Sequence, residues 1–478
     1  NKNDPFLNHE MIADCLKFGK PDVIVLHEKS FVKKLRNIYA GNWSALREHS
    51  MTAWIKDFFP ELAGIPIKSY WHHETHAAAG VLTSTFDDCA VMVIDAIGEF
   101  DTASIWHWKS GQLKKIHSVK FPSSLGLFYS AMTAHVGLKP MEDEYVLMGM
   151  AAYGKPIYRD LFEKEFFTDP NCKECKNAIK MKKNLQRGLP KEYLERHKCT
   201  DLDEYGHTLI DYDIAASAQE IAEHRIFEYA RHALIKTNSK NLVFMGGCAL
   251  NCVANGNLFK LYENVHIMPN PGDAGSSLGA AALHYYNETN KKVNWTGAYL
   301  GNNIEGAYPI KKCLKSLLAG EIFGIANGKA EFGPRALGNR TLCADPRGSE
   351  IKEKVNKIKR RQEFRPFAPI ILQEHVHDYF EMPGGVSDAP YMQFVAKCLK
   401  PEEFPAIVHA DGTSRVQTVN KEQHPELYEL MTQFYKETGC PMILNTSLNV
   451  KGMPIVNDER DAKIFQDKYN VPVYTKDD

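Results

Sequence analysis

His72 and His76 stand four residues apart in the run His72-His73-Glu74-Thr75-His76, so on a helix their imidazoles share one face. Two neutral imidazoles one turn apart can chelate a divalent cation, provided further ligands arrive from elsewhere. Two acids stand where they could help. Asp95 closes the apolar run 90–94, and Asp273 lies in Pro269-Asn270-Pro271-Gly272-Asp273-Ala274-Gly275-Ser276. Two histidines with one or two aspartates suit iron, manganese or zinc. The plainer readings are a structural histidine pair and a helix-capping aspartate.

Two strand-to-glycine turns accompany these residues. They are Asp95-Ala96-Ile97-Gly98-Glu99 and Met245-Gly246-Gly247-Cys248-Ala249-Leu250-Asn251. Glycine lets backbone N–H groups approach a phosphate, and a following helix start favours its negative charge. Neither turn fits the dinucleotide or P-loop patterns, and each alone reads equally as a tight turn. A pair of such turns is what an actin- or sugar-kinase-like nucleotide fold requires, with Gly98, Gly246, Gly247 and Asn251 nearest the nucleotide.

Positive charge concentrates later in the chain. Arg335 and Arg340 follow the rigid Gly333-Pro334 turn, and Lys357, Lys359, Arg360, Arg361 and Arg365 place five cations within nine residues. Arg415 lies in Asp411-Gly412-Thr413-Ser414-Arg415, and Asn445-Thr446-Ser447 follows the apolar run 442–444. Guanidinium forks match phosphate or carboxylate geometry. A solvated helix face explains much of 352–361, but Arg335, Arg365 and Arg415 sit among Gly, Pro and aromatic residues. Cys172 and Cys175, with His197 and Cys199 beyond, resemble half a zinc knuckle and lack the second pair. No GxSxG elbow occurs.

The elements that must position these groups are short buried strands at 22–27, 65–69 and 90–95, then a β-meander through 102–108 and 113–119. A helix is expected over 44–59 with Ser44 as its cap, and another starts at His72. The charged stretch 155–200 reads as an irregular insertion. Helices follow at 214–237, 249–259 and 273–286, with a strand at 241–245. The polar segment 287–307 marks a boundary. Beyond it come strands at 322–326, 367–371, 392–398 and 442–444 and helices at 349–359 and 425–438. The expected fold is α/β in two domains, 1–298 and 299–478.

The chain has 478 residues, enough for two or three domains, with 44% hydrophobic and 24% charged residues. A net charge of -1 gives no basic excess for coating nucleic acid or an anionic membrane. No apolar run is long enough to span a bilayer, and the opening does not read as a secretory signal. Eleven scattered cysteines fit reduced thiols in a cytoplasm.

Seven motifs then occur in order: HHETHAAAG, GGCALNCVANG, PGDAGSSLGAA, EFGPRALGNRTLCADPR, EFRPFAPIIL, DGTSRVQTV and CPMILNTSLNVKGMPIV. With them the chain resembles, over nearly its whole length, the O-carbamoyltransferases of nodulation-factor and antibiotic biosynthesis (NodU/CmcH type). The resemblance implies an actin-like N-terminal domain of the kind found in threonylcarbamoyl-transferring tRNA enzymes, and a YrdC-like C-terminal domain. It implies ATP and carbamoyl phosphate as co-substrates, forming carbamoyladenylate in the second domain. It further implies transfer to the hydroxyl of a small molecule (a sugar, aminoglycoside or other natural product) at an Fe(II) centre held by His72, His76 and Asp273, with Asp95 beside it. Manganese, zinc or magnesium are the alternative ions. Lys359, Arg365, Arg415, Asn445 and Ser447 fall on the carbamoyl phosphate and adenylate site, with Arg335 next to them. A homodimer, no nucleic-acid partner and no membrane partner complete the expectation.

Members of this family carry a leading segment, with a His and a Lys for the acceptor, ahead of residues like Asn3-Asp4-Pro5, which here stand at the very start. The expectation is therefore of an incomplete first sheet. A tRNA threonylcarbamoyl transferase would share the HxxxH half but lack the fused second half. A hydrogenase-maturation carbamoyltransferase would carry paired CxxC knuckles. A nucleotide-binding fragment with a regulatory role is the non-enzymatic alternative, and turnover distinguishes it.

Overall fold

A computed structural model describes residues 9–47, 50–168, 179–189, 202–203, 205–362 and 365–477. Cys172, Cys175, His197 and Cys199, and with them the half-knuckle, lie outside the described residues.

The first large sheet has five strands, β3 (Asp88–Ile94), β4 (Asp101–Lys109), β5 (Gln112–Lys120), β6 (Asn241–Met245) and β7 (Asn264–His266), in the order β5-β4-β3-β6-β7. A short parallel pair, β1 (Ile24–Leu26) and β2 (Ile67–Ser69), precedes it. The meander expected from 90–119 is present: β3, β4 and β5 are antiparallel, while β3, β6 and β7 run parallel. Period-2 alternation makes β3 the centre of two cores. Ala90, Met92 and Ile94 face one hydrophobic cluster with the helix Leu209–Thr237; Cys89, Val91 and Val93 face another with the helices His72–Thr83 and Ser276–Thr289. Burial on both faces explains why β3 reads as an unbroken apolar run.

The second large sheet has six strands: β9 (Phe323–Ala326), β11 (Arg340–Ala344), β12 (Ala368–Leu372), β16 (Gln417–Val419), β17 (Met442–Ser447) and β18 (Val473–Tyr474), ordered β16-β12-β17-β11-β9-β18. Smaller sheets flank it: β8 (Tyr299–Ile304) with β10 (Gly328–Glu331), and β13 (Phe380–Glu381), β14 (Val395–Cys398) and β15 (Thr413–Arg415). The architecture is thus mixed α/β with several sheets. No helix among the described residues is long and apolar enough to cross a membrane.

Two helices differ from their expected form. The 44–59 helix begins only at Met51, because Ser50, not Ser44, accepts the Ala53 N–H at 3.2 Å; Ser44 lies in a 3-10 turn, Trp43–Arg47. The 249–259 helix is broken into 3-10 turns around Cys252–Gly256, since Asn251 bends its side chain back to cap Ala254 N at 3.1 Å.

Candidate active site

The strands β3 and β6 are parallel neighbours, and the turns after them converge at their C-terminal ends, the usual crevice of a parallel sheet. Asp95 ends β3 there. Its Oδ1 accepts from Ala96 N at 2.7 Å and Gly247 N at 3.3 Å, which leaves Oδ2 facing the helix His72–Thr83. Oδ2 lies 3.3 Å from His72 Nε2 and 3.1 Å from His76 Nε2, and the two Nε2 atoms are 3.1 Å apart. Asp273 Oδ1 completes the group at 3.4 Å from each imidazole. The four ligand atoms all lie within 4.8 Å of one another.

The surroundings hold this arrangement. Glu99 accepts from the backbone N–H of His72 at 3.1 Å and of Lys29 at 2.8 Å, pinning the helix start. Ser276 Oγ lies 3.2 Å from the His76 ring nitrogens, and His73 is turned away to Ser104 Oγ at 2.8 Å. Gly246 adopts φ +90, and a Cβ there would stand 2.2 Å from Ile94 O, so only glycine lets β6 turn so close to β3. Gly247 accommodates Asp95 Oδ1, and Gly98 lies against the His72 and His73 rings.

Burial by itself would lower the pKa of His72, but the Asp273 and Asp95 carboxylates outweigh it and raise it to about 10. His76 is raised in the same way. Burial works against the Asp95 anion, yet the two histidines hold its pKa well below the usual carboxylate range. Without an ion, the imidazoles balance the two carboxylates by carrying protons. A dication balances the same two carboxylates with both imidazoles neutral, which is the donor set and charge that a divalent metal requires. His72, His76, Asp95 and Asp273 therefore fit a divalent ion.

A second centre forms from the other half of the chain. Arg335, Arg361, Arg365 and Arg415 are all half-buried and converge. Burial lowers the Arg335 pKa, then Arg415 lowers it further, to about 9; burial with Arg365 and Arg415 depresses Arg361. Burial also lowers Arg365, with Arg415 adding to it and Tyr145 opposing. The guanidiniums are thus largely one another's neighbours, an arrangement an anion relieves. Arg415 Nε is buried without a hydrogen-bond partner, as is Asn445 Oδ1, and buried polar atoms left unpaired are the exception in native structures.

The remaining residues of this half act differently from one another. Lys359 Nζ is enclosed by Ser447 O at 2.5 Å, Ser447 Oγ at 3.1 Å, and Asn449 O and Oδ1 at 2.7 Å each, so it fixes the 447–449 loop. Burial, followed by Arg361 and Arg365, holds its pKa well below normal. Asn445 Nδ2 donates to Ala336 O and to Gln417 Oε1 at 2.8 and 2.9 Å, linking β17 to the Arg335 loop. Asn251, directly after the turn Gly247–Leu250, forms a hydrogen-bonded pair with Gln219, at 3.0 and 3.1 Å. Lys357 is solvent-facing beside Glu353, and Arg360 lies over the Tyr469 ring.

The two centres share a wall. A Cβ on Gly333, two residues before Arg335, would stand 2.5 Å from Pro269 O, so the loop carrying Arg335 rests on the loop carrying Asp273. Sequence reasoning assigned no role to Glu99, Ser276, Tyr145, Gln417 or Asn449. Only Glu99, one residue beyond a strand-end glycine turn, carried a local signal.

A set of four candidate metal ligands and a cluster of guanidiniums thus lie side by side within one chain. Family comparison makes this particular: the chain matches Carbamoyltransferase N-terminus over residues 20–282 and Carbamoyltransferase C-terminus over 314–475, and it belongs to the carbamoyltransferase family of enzymes. It is 33% identical to nodulation protein NolO of Bradyrhizobium diazoefficiens, over 82% of this chain and 75% of that protein. It is 32% identical to nodulation protein NolNO of Sinorhizobium fredii, over 85% and 62%, and 34% identical to an uncharacterised Synechocystis protein, over 92% and 84%. A structure of HypF from T. kodakarensis overlaps 50% of this chain and 40% of its own at TM-score 0.28 and 15% identity, too loosely to bear on the fold.

Proposed function

We propose that this carbamoyltransferase is ATP-dependent and carries out two half-reactions, one at each centre. At the guanidinium cleft, carbamoyl phosphate releases its phosphate with water, and the carbamate oxygen attacks the α-phosphorus of ATP. Pyrophosphate leaves and carbamoyladenylate remains. A carbamoyl group is a weak electrophile, and adenylation equips it with AMP as a leaving group. Arg335, Arg365 and Arg415 bind the phosphate oxygens and stabilise the charge that develops on them. Lys359 holds the Ser447 loop, and Asn445 and Ser447 offer polar contacts to the carbamoyl and nucleotide groups.

The acceptor hydroxyl then attacks the carbamoyl carbon at the histidine–aspartate centre, and AMP leaves. A divalent ion held by His72, His76, Asp95 and Asp273, Fe(II) first and Mn, Zn or Mg otherwise, supplies Lewis acidity toward a phosphate or carbamoyl oxygen. The backbone turns at Gly98 and Gly246-Gly247 flank this crevice, their N–H groups donating to Asp101 O, Pro271 O and Asp95 Oδ1, so in this reading the nucleotide packs against these turns rather than being held by those three donors. In this reading residues 1–298 form an actin-like domain and 299–478 a YrdC-like one. The acceptor is a small natural product with a free hydroxyl, such as a sugar or aminoglycoside, the enzyme works in the cytoplasm as a homodimer, and neither nucleic acid nor membrane is a partner.

The observation that carries the proposal is the contact of the Asp273 loop with the Arg335 loop, which makes the two centres neighbours. The test is pyrophosphate release from ATP and carbamoyl phosphate without acceptor. The expected result is carbamoyl-phosphate-dependent release that falls about 100- to 1,000-fold in Arg415→Ala. A folded, metal-loaded protein that releases none would overturn the reading.

A further inference from the structure

The guanidinium cleft is not built from the second half alone. The helix Glu144–Met150 belongs to the first half, packed near the helix Leu209–Thr237, yet its Tyr145 reaches the cleft. The Arg365 guanidinium lies 4.7 Å from the centre of the Tyr145 ring, a cation–π distance. Tyr145 is 42% exposed, so it stands at the mouth of the cleft rather than in a core. The helix that presents it is anchored at its start, where Glu144 Oε1 accepts from Ser130 Oγ at 2.6 Å and Met141 N at 2.5 Å.

The same segment touches the cleft again. In the 3-10 turn Ala151–Tyr153 that follows, the Tyr153 ring packs 5.4 Å from His409. His409 is bonded into the turn before β15, donating its N–H to Thr413 O at 2.8 Å and accepting from Gly412 N at 2.9 Å, and β15 ends in Arg415. One segment of the first half therefore contacts Arg365 directly and the Arg415 hairpin through His409.

The electrostatics give Tyr145 a specific task. Arg365 is repelled by Arg415, and Tyr145 and Asp143 are the groups that offset this. Arg361 cannot, being a cation itself; it is committed to bracing the Arg365 segment, with Nη2 donating to the Arg365 and Pro366 carbonyls at 3.2 and 3.0 Å. Tyr145 engages Arg365 through both its ring face and its hydroxyl, and as a neutral side chain it does so without a full negative charge that would compete with an incoming anion.

Resting on the adenylation reading above, we infer that Tyr145 is a positioning residue of the carbamoyl phosphate and ATP site, supplied across the boundary between the halves, which holds the Arg365 guanidinium ready for the anionic substrate. The benefit is preorganisation, so it is felt in substrate binding before chemistry.

The test compares wild type, Tyr145→Phe and Tyr145→Ala in the acceptor-free pyrophosphate release assay. It adds titration calorimetry with inorganic pyrophosphate as a probe that needs no turnover. In Tyr145→Ala the KM for carbamoyl phosphate and the Kd for pyrophosphate are expected to rise about two- to fivefold, the scale of a cation–π contact at a partly exposed site, while kcat changes less. Tyr145→Phe, which keeps the ring but loses the hydroxyl contact to Arg365, is expected to restore part of the loss. A purely structural role would lower the active fraction and kcat and leave KM and Kd unmoved, and that result overturns the inference. Wild type without pyrophosphate release but with pyrophosphate binding weakened in Tyr145→Ala would sink the adenylation reading and keep Tyr145 in an anion site. Equal binding by wild type and Tyr145→Ala, or none by either, rejects Tyr145.

Discussion

Asp95 uses its two oxygens for different purposes: one ties the turns after β3 and β6 together through Ala96 and Gly247, and the other faces both histidines. An asparagine keeps either the backbone contacts or an acceptor toward the histidines, and it removes the charge that a divalent ion needs. Asp95→Asn is expected to reduce bound metal, read by elemental analysis, at least about tenfold with an unchanged far-UV circular dichroism spectrum. His424 shows the opposite electrostatics. Its Nδ1 accepts Leu427 N–H at 3.1 Å and its Nε2 lies 2.7 Å from Asn339 Oδ1, so the neutral ring fills both roles. Burial lowers its pKa from 6.5 to about 4, and burial lowers that of His266 to about 4 as well. Between these values the unfolded chain binds protons that the folded chain refuses. The stability these rings contribute is complete above pH 6.5 and is lost as pH falls toward 4. Urea unfolding across this range is expected to show His424→Asn, which can still cap the helix, losing less stability per pH unit than wild type, by up to about 1.4 kcal/mol. Equal slopes would mean that His424 titrates normally.

At the scale of elements, the metal crevice depends on how closely the helices His72–Thr83 and Ser276–Thr289 approach. A Cβ on Gly279 would stand 2.0 Å from Thr75 O and 2.9 Å from Ala79 Cβ. Gly279→Ala must therefore push the helices apart, at a cost of about 1–3 kcal/mol in urea unfolding. Because one helix carries His76 and the other follows Asp273, bound metal is expected to fall in the same variant. Stability loss with full metal occupancy would show that the crevice tolerates the shift. These helices and strands were legible in the sequence where periodicity is local: 425–438 and 241–245 were placed to the residue, and the four-residue spacing of His72 and His76 brought both to one face. What escaped depends on partners far along the chain. The partner of Asn251 in the turn after β6, Gln219, lies 32 positions away and left no local signal. The resemblance placed Lys359 on the carbamoyl phosphate site, but its partner, the Ser447 carbonyl 88 positions on, could not be read from the sequence. Tyr145 gave no signal because its meaning lies entirely in Arg365.

At the scale of the molecule, the two halves are not independent bodies joined by a linker. One hydrophobic cluster runs from Phe244 and Leu258 in the first half to Phe394, Phe404 and Ile443 in the second. Phe259 and Phe394 meet edge to face at 5.1 Å, and Asn255 Nδ2, buried, donates to Gln393 O at 3.0 Å. The guanidinium cleft draws on the same contact surface through Tyr145, and the Asp273 loop supports the Arg335 loop. A shared core of this kind couples the stabilities of its parts, because neither sheet can unfold without exposing apolar surface of the other. Scanning calorimetry of the chain is therefore expected to give one endotherm spanning both halves. Phe394→Ala, which opens a cavity at the junction and costs about 3–5 kcal/mol, is expected to move that endotherm down, or to split it as the coupling weakens. Two separate transitions in the wild-type chain, with Phe394→Ala shifting only the one that belongs to the second half, would mean that the halves fold apart and that the two centres are brought together by docking rather than by a common core.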